Sequence, residues 1–211
     1  MTAPQLGFNH RFVPGSRPGA TPLLLLHGTG GDENDLLSLG QELSPGSPLL
    51  SPRGQVLENG MPRFFRRLSE GVFDLDDLKL RAGQLARFVA EARQRYGLGA
   101  APIGVGFSNG ANMAATLLLL HPGTLGSALL FRPMVPLVPD PLPSLKDVRV
   151  LIAGGRQDPI ATPEQTQALA DLLHRAGADV SLHWTRAGHG LTREDLEAGE
   201  RWMSGVSAGV R

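Results

Sequence analysis

Short apolar runs alternate with longer amphipathic stretches along most of the chain. The runs predict β-strands at Leu23–Leu26, near Pro48–Ser51, and at Ile103–Phe107, Ser127–Phe131, Val148–Ala153 and Val180–Trp184. Helical spacing of apolar positions predicts helices over Asp76–Tyr96, Asn109–Leu120, Pro163–Arg175 and Arg193–Met203. Strands that alternate with helices are typical of an α/β fold. The pattern therefore predicts a doubly wound, mostly parallel sheet with helices on both faces.

Two connections decide what can be added to this sheet. The segment before Leu23 contains several prolines and is compatible with an antiparallel strand at the sheet edge. The connection Arg132–Asp147 is also rich in proline, which fixes φ and disfavours helix, so we expect it to be extended. The chain therefore leaves no room for a helical cap domain at that point.

Length, charge and composition narrow the class of protein. A chain of 211 residues favours one domain over residues 1–211, since domains commonly hold roughly 100–200 residues. Lys and Arg number 20 and balance 20 Asp and Glu, so no net charge attracts nucleic acid or an anionic membrane. Cysteine is absent, which excludes disulfides, thiolate metal sites and cysteine nucleophiles. A covalent catalyst must therefore be Ser, Thr, Asp, Glu or Lys.

No targeting or membrane-spanning segment is evident in the sequence. Met1–Asn9 lacks the basic start and apolar run of a signal peptide. The longest apolar runs are far shorter than the roughly 18 residues that a spanning helix needs. We therefore expect a cytoplasmic protein without membrane insertion.

The segment Gly106-Phe107-Ser108-Asn109-Gly110 has the form G-x-S-x-G and lies between a predicted strand and a predicted helix. This is the context of a nucleophile elbow, in which small flanking residues permit a sharp turn that exposes the serine hydroxyl. The alternative is that Ser108 only caps the helix. A serine nucleophile also needs a histidine to accept its proton and a carboxylate to orient that histidine.

The acid and the base are expected after Ser108, in that order, at the carboxyl ends of strands. Asp158 follows the strand at Val148–Ala153, and His189 follows the strand at Val180–Trp184. The alternatives fit less well, because they precede strands or lie within strands, helices or the N-terminal segment; they are Asp140, Asp147, Asp171, Asp179, His10, His121, His174 and His183. Ser108, Asp158 and His189 are the predicted catalytic residues.

Two backbone N–H groups are candidates for an oxyanion hole. One belongs to Asn109, the residue after the nucleophile. The other is expected in the glycine-rich turn His27–Gly31, with Thr29 as first choice and Gly30 as second. The alternative is that these glycines only form a tight exit from the strand. We expect His27 to brace the loop by hydrogen bonding and not to catalyse.

Other chemical signals are missing. Gly104-x-Gly106-x-x-Asn109 lacks the third glycine and the later acid of a dinucleotide fingerprint, and no phosphate-binding loop motif occurs. The acidic run Asp32–Asp35 lacks the spacing of a calcium loop and is better read as the start of a helix. The histidines show no zinc-type spacing. We expect no cofactor and no metal.

Several of these segments resemble a known family. Leu25–Gly31, Gly106–Gly110 and Gly188–Gly190 resemble the phospholipase/carboxylesterase branch of the α/β-hydrolases, over nearly the whole chain. Glu58–Arg67 and Glu70–Asp74 are similar to the bacterial carboxylesterase-like hydrolases of the quinone-stress type. The resemblance implies the α/β-hydrolase fold and ester hydrolysis. It also implies the triad and the oxyanion donors named above, and it is compatible with a homodimer.

The hypothesis is a cofactor-free serine carboxylesterase that acts on small carboxylic esters through an acyl-enzyme on Ser108. Candidate pocket residues are Met61, Phe64, Phe65 and Met134, with ordinary core packing as the alternative, and Arg63, with a solvated arginine as the alternative. A histidine base predicts that activity falls as pH drops through roughly 6–7. The alternative functions are a thioesterase or lysophospholipase with the same triad, and a non-catalytic protein that binds an aromatic ligand.

Overall fold

The computed structural model describes residues 6–208. Its strands are β1 (His10–Val13), β2 (Leu23–Leu26), β3 (Leu49–Pro52), β4 (Val56–Glu58), β5 (Met61–Arg63), β6 (Arg67–Ser69), β7 (Val72–Phe73), β8 (Ile103–Phe107), β9 (Ser127–Phe131), β10 (Arg149–Gly155) and β11 (Asp179–Thr185). Its helices are α1 (Leu37–Leu43), α2 (Leu75–Tyr96), α3 (Asn109–Leu120), α4 (Pro163–Arg175) and α5 (Arg193–Ala208). No helix within this range is long and apolar enough to cross a membrane.

The main sheet has seven strands in the order β1-β3-β2-β8-β9-β10-β11. All neighbouring pairs are parallel except β1 and β3, which are antiparallel. The predicted doubly wound, mostly parallel sheet is therefore confirmed, and the antiparallel edge strand is present. The connection between β9 and β10 contains no helix, as its prolines predict.

Alternate residues of the central strands pack into two hydrophobic clusters, one on each face of the sheet. Leu24 and Leu26 of β2 belong to the cluster that contains residues of α2, α3 and α4. Leu23 and Leu25 belong to the second cluster, together with residues of α1 and α5. Successive side chains of a strand point to opposite faces, so a strand covered on both faces reads as an unbroken apolar run.

Two small hairpins, β4–β5 and β6–β7, lie outside the main sheet and were not predicted from the apolar pattern. The turn between β4 and β5 is Asn59-Gly60, and both residues have positive φ values, 51° and 80°. Asn-Gly at positive φ is the sequence that two-residue hairpin turns favour. The signal was therefore available, but strands of three residues are too short to show a period.

Candidate active site

Ser108 lies in a strained turn between β8 and α3. Its backbone has φ 52° and ψ −113°, a conformation that residues other than glycine rarely adopt. The turn also needs small neighbours, because a Cβ on Gly110 would lie 2.0 Å from the carbonyl oxygen of Leu26. The sequence G-x-S-x-G thus allows a tight turn at the carboxyl edge of the sheet, with the Ser108 side chain at its apex.

The structure brings the three predicted catalytic residues into one hydrogen-bonded chain. The Oγ of Ser108 lies 2.8 Å from Nε2 of His189, and Nδ1 of His189 lies 2.8 Å from Oδ2 of Asp158. Because a carboxylate accepts, the geometry fits a histidine that donates from Nδ1 and accepts the serine hydroxyl proton at Nε2.

Asp158 is held in place by the backbone of its own loop. Its Oδ1 accepts hydrogen bonds from the N–H groups of Ile160, at 2.8 Å, and Ala161, at 3.0 Å. The side chain is fully buried, whereas that of His189 is partly exposed. The carboxylate is therefore fixed by donors on both oxygens, and only the imidazole and the serine face the open side of the site.

A buried arginine holds the loop that carries His189. Arg132 donates from Nε to the carbonyl oxygen of Gly188 and from Nη2 to that of Gly190, both at 3.0 Å. The same guanidinium makes a two-pronged ion pair with Asp195, at 2.9 and 2.6 Å. Arg132 is only 1% exposed. The residues on either side of His189 are therefore tied to the core of the protein.

Asp195 also caps the helix that follows the histidine loop. Thr192 and Asp195 form a reciprocal capping box, in which each backbone N–H donates to the other residue's side chain, at 2.8 and 3.3 Å. Burial alone would raise the pKa of Asp195, but the hydrogen bonds from Arg132 and Thr192 outweigh burial and hold the pKa below its ordinary value. Asp195 is therefore a buried carboxylate that is ionised and fully partnered.

The first candidate oxyanion residue, Thr29, lines a cavity together with Ser108. The N–H of Gly30, the second choice, donates to the carbonyl oxygen of Pro62 at 3.0 Å and is not available to a substrate. Within residues 6–208, no backbone acceptor pairs with the N–H of Thr29. Thr29 Oγ1 accepts a hydrogen bond of 2.6 Å from Arg63. The geometry thus favours Thr29 over Gly30.

The segment around the end of β5 also contacts the second candidate oxyanion residue, Asn109. The backbone N–H of Phe64, directly after β5, donates to Oδ1 of Asn109 at 2.8 Å. Asn109 is the first residue of α3, so its own N–H lies at the positive end of the helix dipole. Pro62, Arg63 and Phe64 therefore each hold part of the candidate oxyanion hole.

His27 links the glycine-rich turn His27–Gly31 to Gly54. Its Nδ1 lies 2.7 Å from the carbonyl oxygen of Gly28, and its Nε2 accepts the N–H of Gly54 at 2.9 Å. Burial lowers the pKa of His27, and the Gly28 carbonyl opposes this only in part. A neutral imidazole satisfies both partners, so His27 braces the turn, as the sequence suggested.

A cavity of about 240 Å³ opens at the serine. Its lining includes the candidate catalytic serine and histidine, both candidate oxyanion residues, and two of the predicted pocket residues, Arg63 and Met134. Arg63 is buried rather than solvated. Within the described part of the chain, no cluster of three or more His, Asp or Glu residues could hold a metal ion.

The structure places the other predicted pocket residues elsewhere. Phe64 and Phe65 are buried in the core, where Phe64 packs against His27 and Phe65 packs edge-on against Phe73. Met61 is 41% exposed and does not line the cavity. Phe64 and Phe65 lie in the bend between β5 and β6, so strand alternation does not decide which way they face.

Known proteins share this architecture and much of the sequence. The chain is 48% identical, over 181 residues, to a protein of Bacillus subtilis (strain 168) named as a hydrolase, MhqD; the match covers 85% of this chain and 90% of that protein. The crystal structure of the Bacillus cereus carboxylesterase superposes with a TM-score of 0.92 at 43% identity, over 94% of both chains. No family model matches the chain.

The chain is a carboxylesterase-type hydrolase of the α/β-hydrolase fold. A carboxylesterase from Mesorhizobium loti agrees with this assignment, with a TM-score of 0.88 at 33% identity over 95% of this chain and 96% of that one. The predicted family and enzyme class are therefore confirmed.

Several residues around the site of this hydrolase were not found from the sequence. They are the brace residues Arg132 and Asp195 and the cavity-lining residues Arg67, Glu70, Phe73, Phe107, Asn112 and Ile160. Only Arg132 had a usable signal, since an arginine that directly follows a fully buried strand must find partners inside the protein.

Proposed function

We propose that this hydrolase cleaves small carboxylic esters through an acyl-enzyme on Ser108. The observation that carries the proposal is the hydrogen-bonded chain from Ser108 through His189 to Asp158, with a distance of 2.8 Å at each step. A serine hydroxyl is a weak nucleophile at neutral pH, and a neutral imidazole at hydrogen-bond distance can accept its proton during attack.

In the first step, Oγ of Ser108 attacks the acyl carbon while Nε2 of His189 takes the hydroxyl proton. The carbonyl oxygen becomes an oxyanion, to which the N–H groups of Thr29 and Asn109 donate. Removing a donor of this kind from an oxyanion hole typically costs about 2.7–4 kcal/mol in transition-state energy. The Asp158 carboxylate accepts the hydrogen bond from Nδ1–H and thereby stabilises the imidazolium.

The tetrahedral intermediate then collapses, and Nε2 of His189 returns the proton to the leaving alkoxide, which departs as an alcohol. Water enters, gives a proton to His189 and attacks the acyl-enzyme. A second collapse releases the carboxylic acid and restores the Ser108 hydroxyl. The groups needed for each proton transfer are present in the chain itself.

The cavity supports small substrates. Its volume of about 240 Å³ is below the roughly 300–1,000 Å³ of pockets that enclose drug-sized ligands. The missing helical cap and the partial exposure of His189 leave the site open on one side. A short acyl chain with a small alcohol or aryl leaving group fits these dimensions.

The decisive test is intact-mass analysis after incubation with a small fluorophosphonate. We expect one adduct, mapped to Ser108, which is absent in Ser108→Ala and greatly slowed in His189→Ala. Ser108→Ala should also lower kcat for a short aryl ester by at least about 10⁴-fold. A folded wild-type protein that resists this probe and a second, smaller one would overturn the proposal in favour of a non-catalytic binding protein.

A comparison of substrates separates the carboxylesterase proposal from the thioesterase and lysophospholipase alternatives. The wild-type protein should hydrolyse short aryl esters with a higher kcat/KM than acyl-CoA thioesters or lysophospholipids. Faster turnover of a thioester or a lysophospholipid would keep the Ser108 mechanism and change the substrate class.

A further inference from the structure

Asn112 lies in α3, one helical turn after Ser108, and is 4% exposed. It lines the cavity at the serine. Its Oδ1 accepts the backbone N–H of Met134 at 2.8 Å. Because a backbone N–H can only donate, this bond fixes which end of the amide is oxygen and directs the NH₂ group away from Met134.

The NH₂ group of Asn112 has no hydrogen-bond partner within residues 6–208. A second asparagine provides a comparison. The NH₂ group of Asn109 is also unpaired but is sealed from solvent. The nitrogen of Asn112 is not among the sealed atoms, and the residue faces the cavity. Its two donors are therefore available to a molecule that enters the cavity.

The hydrogen bond that Asn112 accepts from Met134 does not explain why the residue carries an NH₂ group. Acceptance from Met134 needs only the oxygen, so this bond leaves both N–H donors of the amide unused. The donors belong to a residue that lines the cavity beside Ser108, where they can be matched by an acceptor on a bound molecule. A ligand oxygen beside the NH₂ group supplies such an acceptor.

The charges in the cavity favour a neutral ligand group. Arg63 lies 3.3 Å from Glu58, and Arg67 pairs with Glu58 at 2.9 Å and with Glu70 at 2.7 Å. Both arginines of the cavity lining are therefore matched by carboxylates, which disfavours a carboxylate or phosphate on the substrate. An ether, hydroxyl or carbonyl oxygen needs one donor and no cation.

We propose that Asn112 donates a hydrogen bond from Nδ2 to a neutral oxygen of the substrate other than the scissile ester group. This inference rests on the proposed esterase function and names its substrate class: esters with a second oxygen close to the scissile bond, rather than purely alkyl esters. Asn112 is a specificity-determining residue in this assignment.

Matched ester pairs test the proposal, because each pair differs only by oxygen in place of CH₂. The acyl-side pairs are 4-nitrophenyl butyrate with methoxyacetate, and pentanoate with 3-methoxypropanoate. The alcohol-side pair is butyl acetate with 2-methoxyethyl acetate. The ratio of kcat/KM within a pair, compared between wild type and variant, cancels the intrinsic reactivity of the esters.

Asn112→Asp keeps an oxygen for Met134 and replaces the donor by a second acceptor. Asn112→Leu removes both groups at similar size. We expect each variant to lower the oxygen-to-CH₂ ratio by about three- to tenfold in at least one pair, as the loss of one hydrogen bond predicts. The pair that responds shows which side of the ester carries the oxygen.

Thr116→Val is the matched control, because it removes a buried hydroxyl one turn further along α3 that bonds the backbone of Asn112 and does not line the cavity. It should leave the ratio unchanged in every pair. Unchanged ratios in both Asn112 variants would overturn this inference alone. If the wild-type protein hydrolyses none of the esters and no adduct forms on Ser108, the esterase proposal fails instead.

Discussion

Two sides of the candidate active site are held in different ways. On one side, the loop that carries His189 is fixed by Arg132 and Asp195, an ion pair whose side chains are fully buried. On the other side, Thr29 and Asn109 are held by residues 62–64 at the end of a small hairpin outside the main sheet. Ion pairs of the neighbouring β6–β7 hairpin, such as Arg67 with Glu70, are partly exposed.

Mutations on the two sides should therefore differ in how they affect the free energy of unfolding and the catalytic rate. The histidine side is continuous with the core, so damage to its brace should lower both the free energy of unfolding and the rate. The candidate oxyanion side is held mainly by single hydrogen bonds from residues 62–64, which lie outside the main sheet. Damage there should lower the rate while most of the folding energy remains.

Arg132→Met should have the largest effect. It leaves Asp195 buried without a cation and removes the donors to Gly188 and Gly190. Loss of one partner of a buried ion pair typically costs about 3–5 kcal/mol. We expect a loss of this size in denaturant unfolding, together with a lower kcat for a short aryl ester.

The double variant Arg132→Met with Asp195→Leu separates the two effects. Replacing a buried ion pair by apolar residues is often neutral for stability, apart from about 1 kcal/mol for the lost helix cap. The double variant should therefore regain stability but keep a low kcat, since Gly188 and Gly190 still lack their donor. Full recovery of kcat would show that the pair serves folding alone.

Arg63→Met should have an intermediate effect, on the oxyanion side. It removes the donors to Thr29 Oγ1 and to the carbonyl oxygen of Phe65 and the ion pair with Glu58, although Glu58 keeps its bond to Arg67. We expect kcat to fall by about ten- to a hundredfold through misplacement of the Thr29 N–H. The free energy of unfolding should fall by about 2 kcal/mol, less than in Arg132→Met.

The Thr29 side chain supplies a matched pair of variants. Thr29→Val removes the acceptor of Arg63 and should reproduce the loss of kcat, whereas Thr29→Ser keeps the hydroxyl and should not. If Arg63→Met instead destabilises the protein as much as Arg132→Met, the contrast between the two sides is wrong.

Regular and irregular parts of the molecule differ in how far the sequence predicts them. The bounds of β2, β8 and β9 match the prediction because these strands are buried on both faces and read as continuous apolar runs. Ser108, Asp158 and His189 could be placed together because the carboxyl ends of parallel strands meet at one edge of the sheet. Both results follow from regular structure.

The residues that hold the two sides of the site follow no such regularity. Arg132 and Asp195 are 63 positions apart, and no periodic pattern joins them. After the β4–β5 hairpin, apolar character indicated burial for Phe64 and Phe65 but not whether they face the cavity or the core. Both residues lie between β5 and β6, outside regular structure, so no period of the sequence sets which way they face. Long-range pairing and the path of irregular segments are therefore the parts that needed the structure.

His27 gives the smallest expected effect, which is a loss of stability in acid that involves the turn beside Thr29. Burial lowers the pKa of His27, so the native state binds a proton less readily than the unfolded chain. The free energy of unfolding should therefore fall as pH drops below about 6.5, where unfolded histidine becomes protonated.

Denaturant titrations between about pH 7.5 and about pH 5.5 measure the slope of the free energy of unfolding against pH. They compare wild type with His27→Gln and with His174→Gln, a control at an exposed histidine. His27→Gln should flatten the slope because the titrating imidazole is gone, while His174→Gln serves as the reference for removing a histidine elsewhere. An equal slope in wild type and His27→Gln would show that the turn beside Thr29 does not respond to acid through His27.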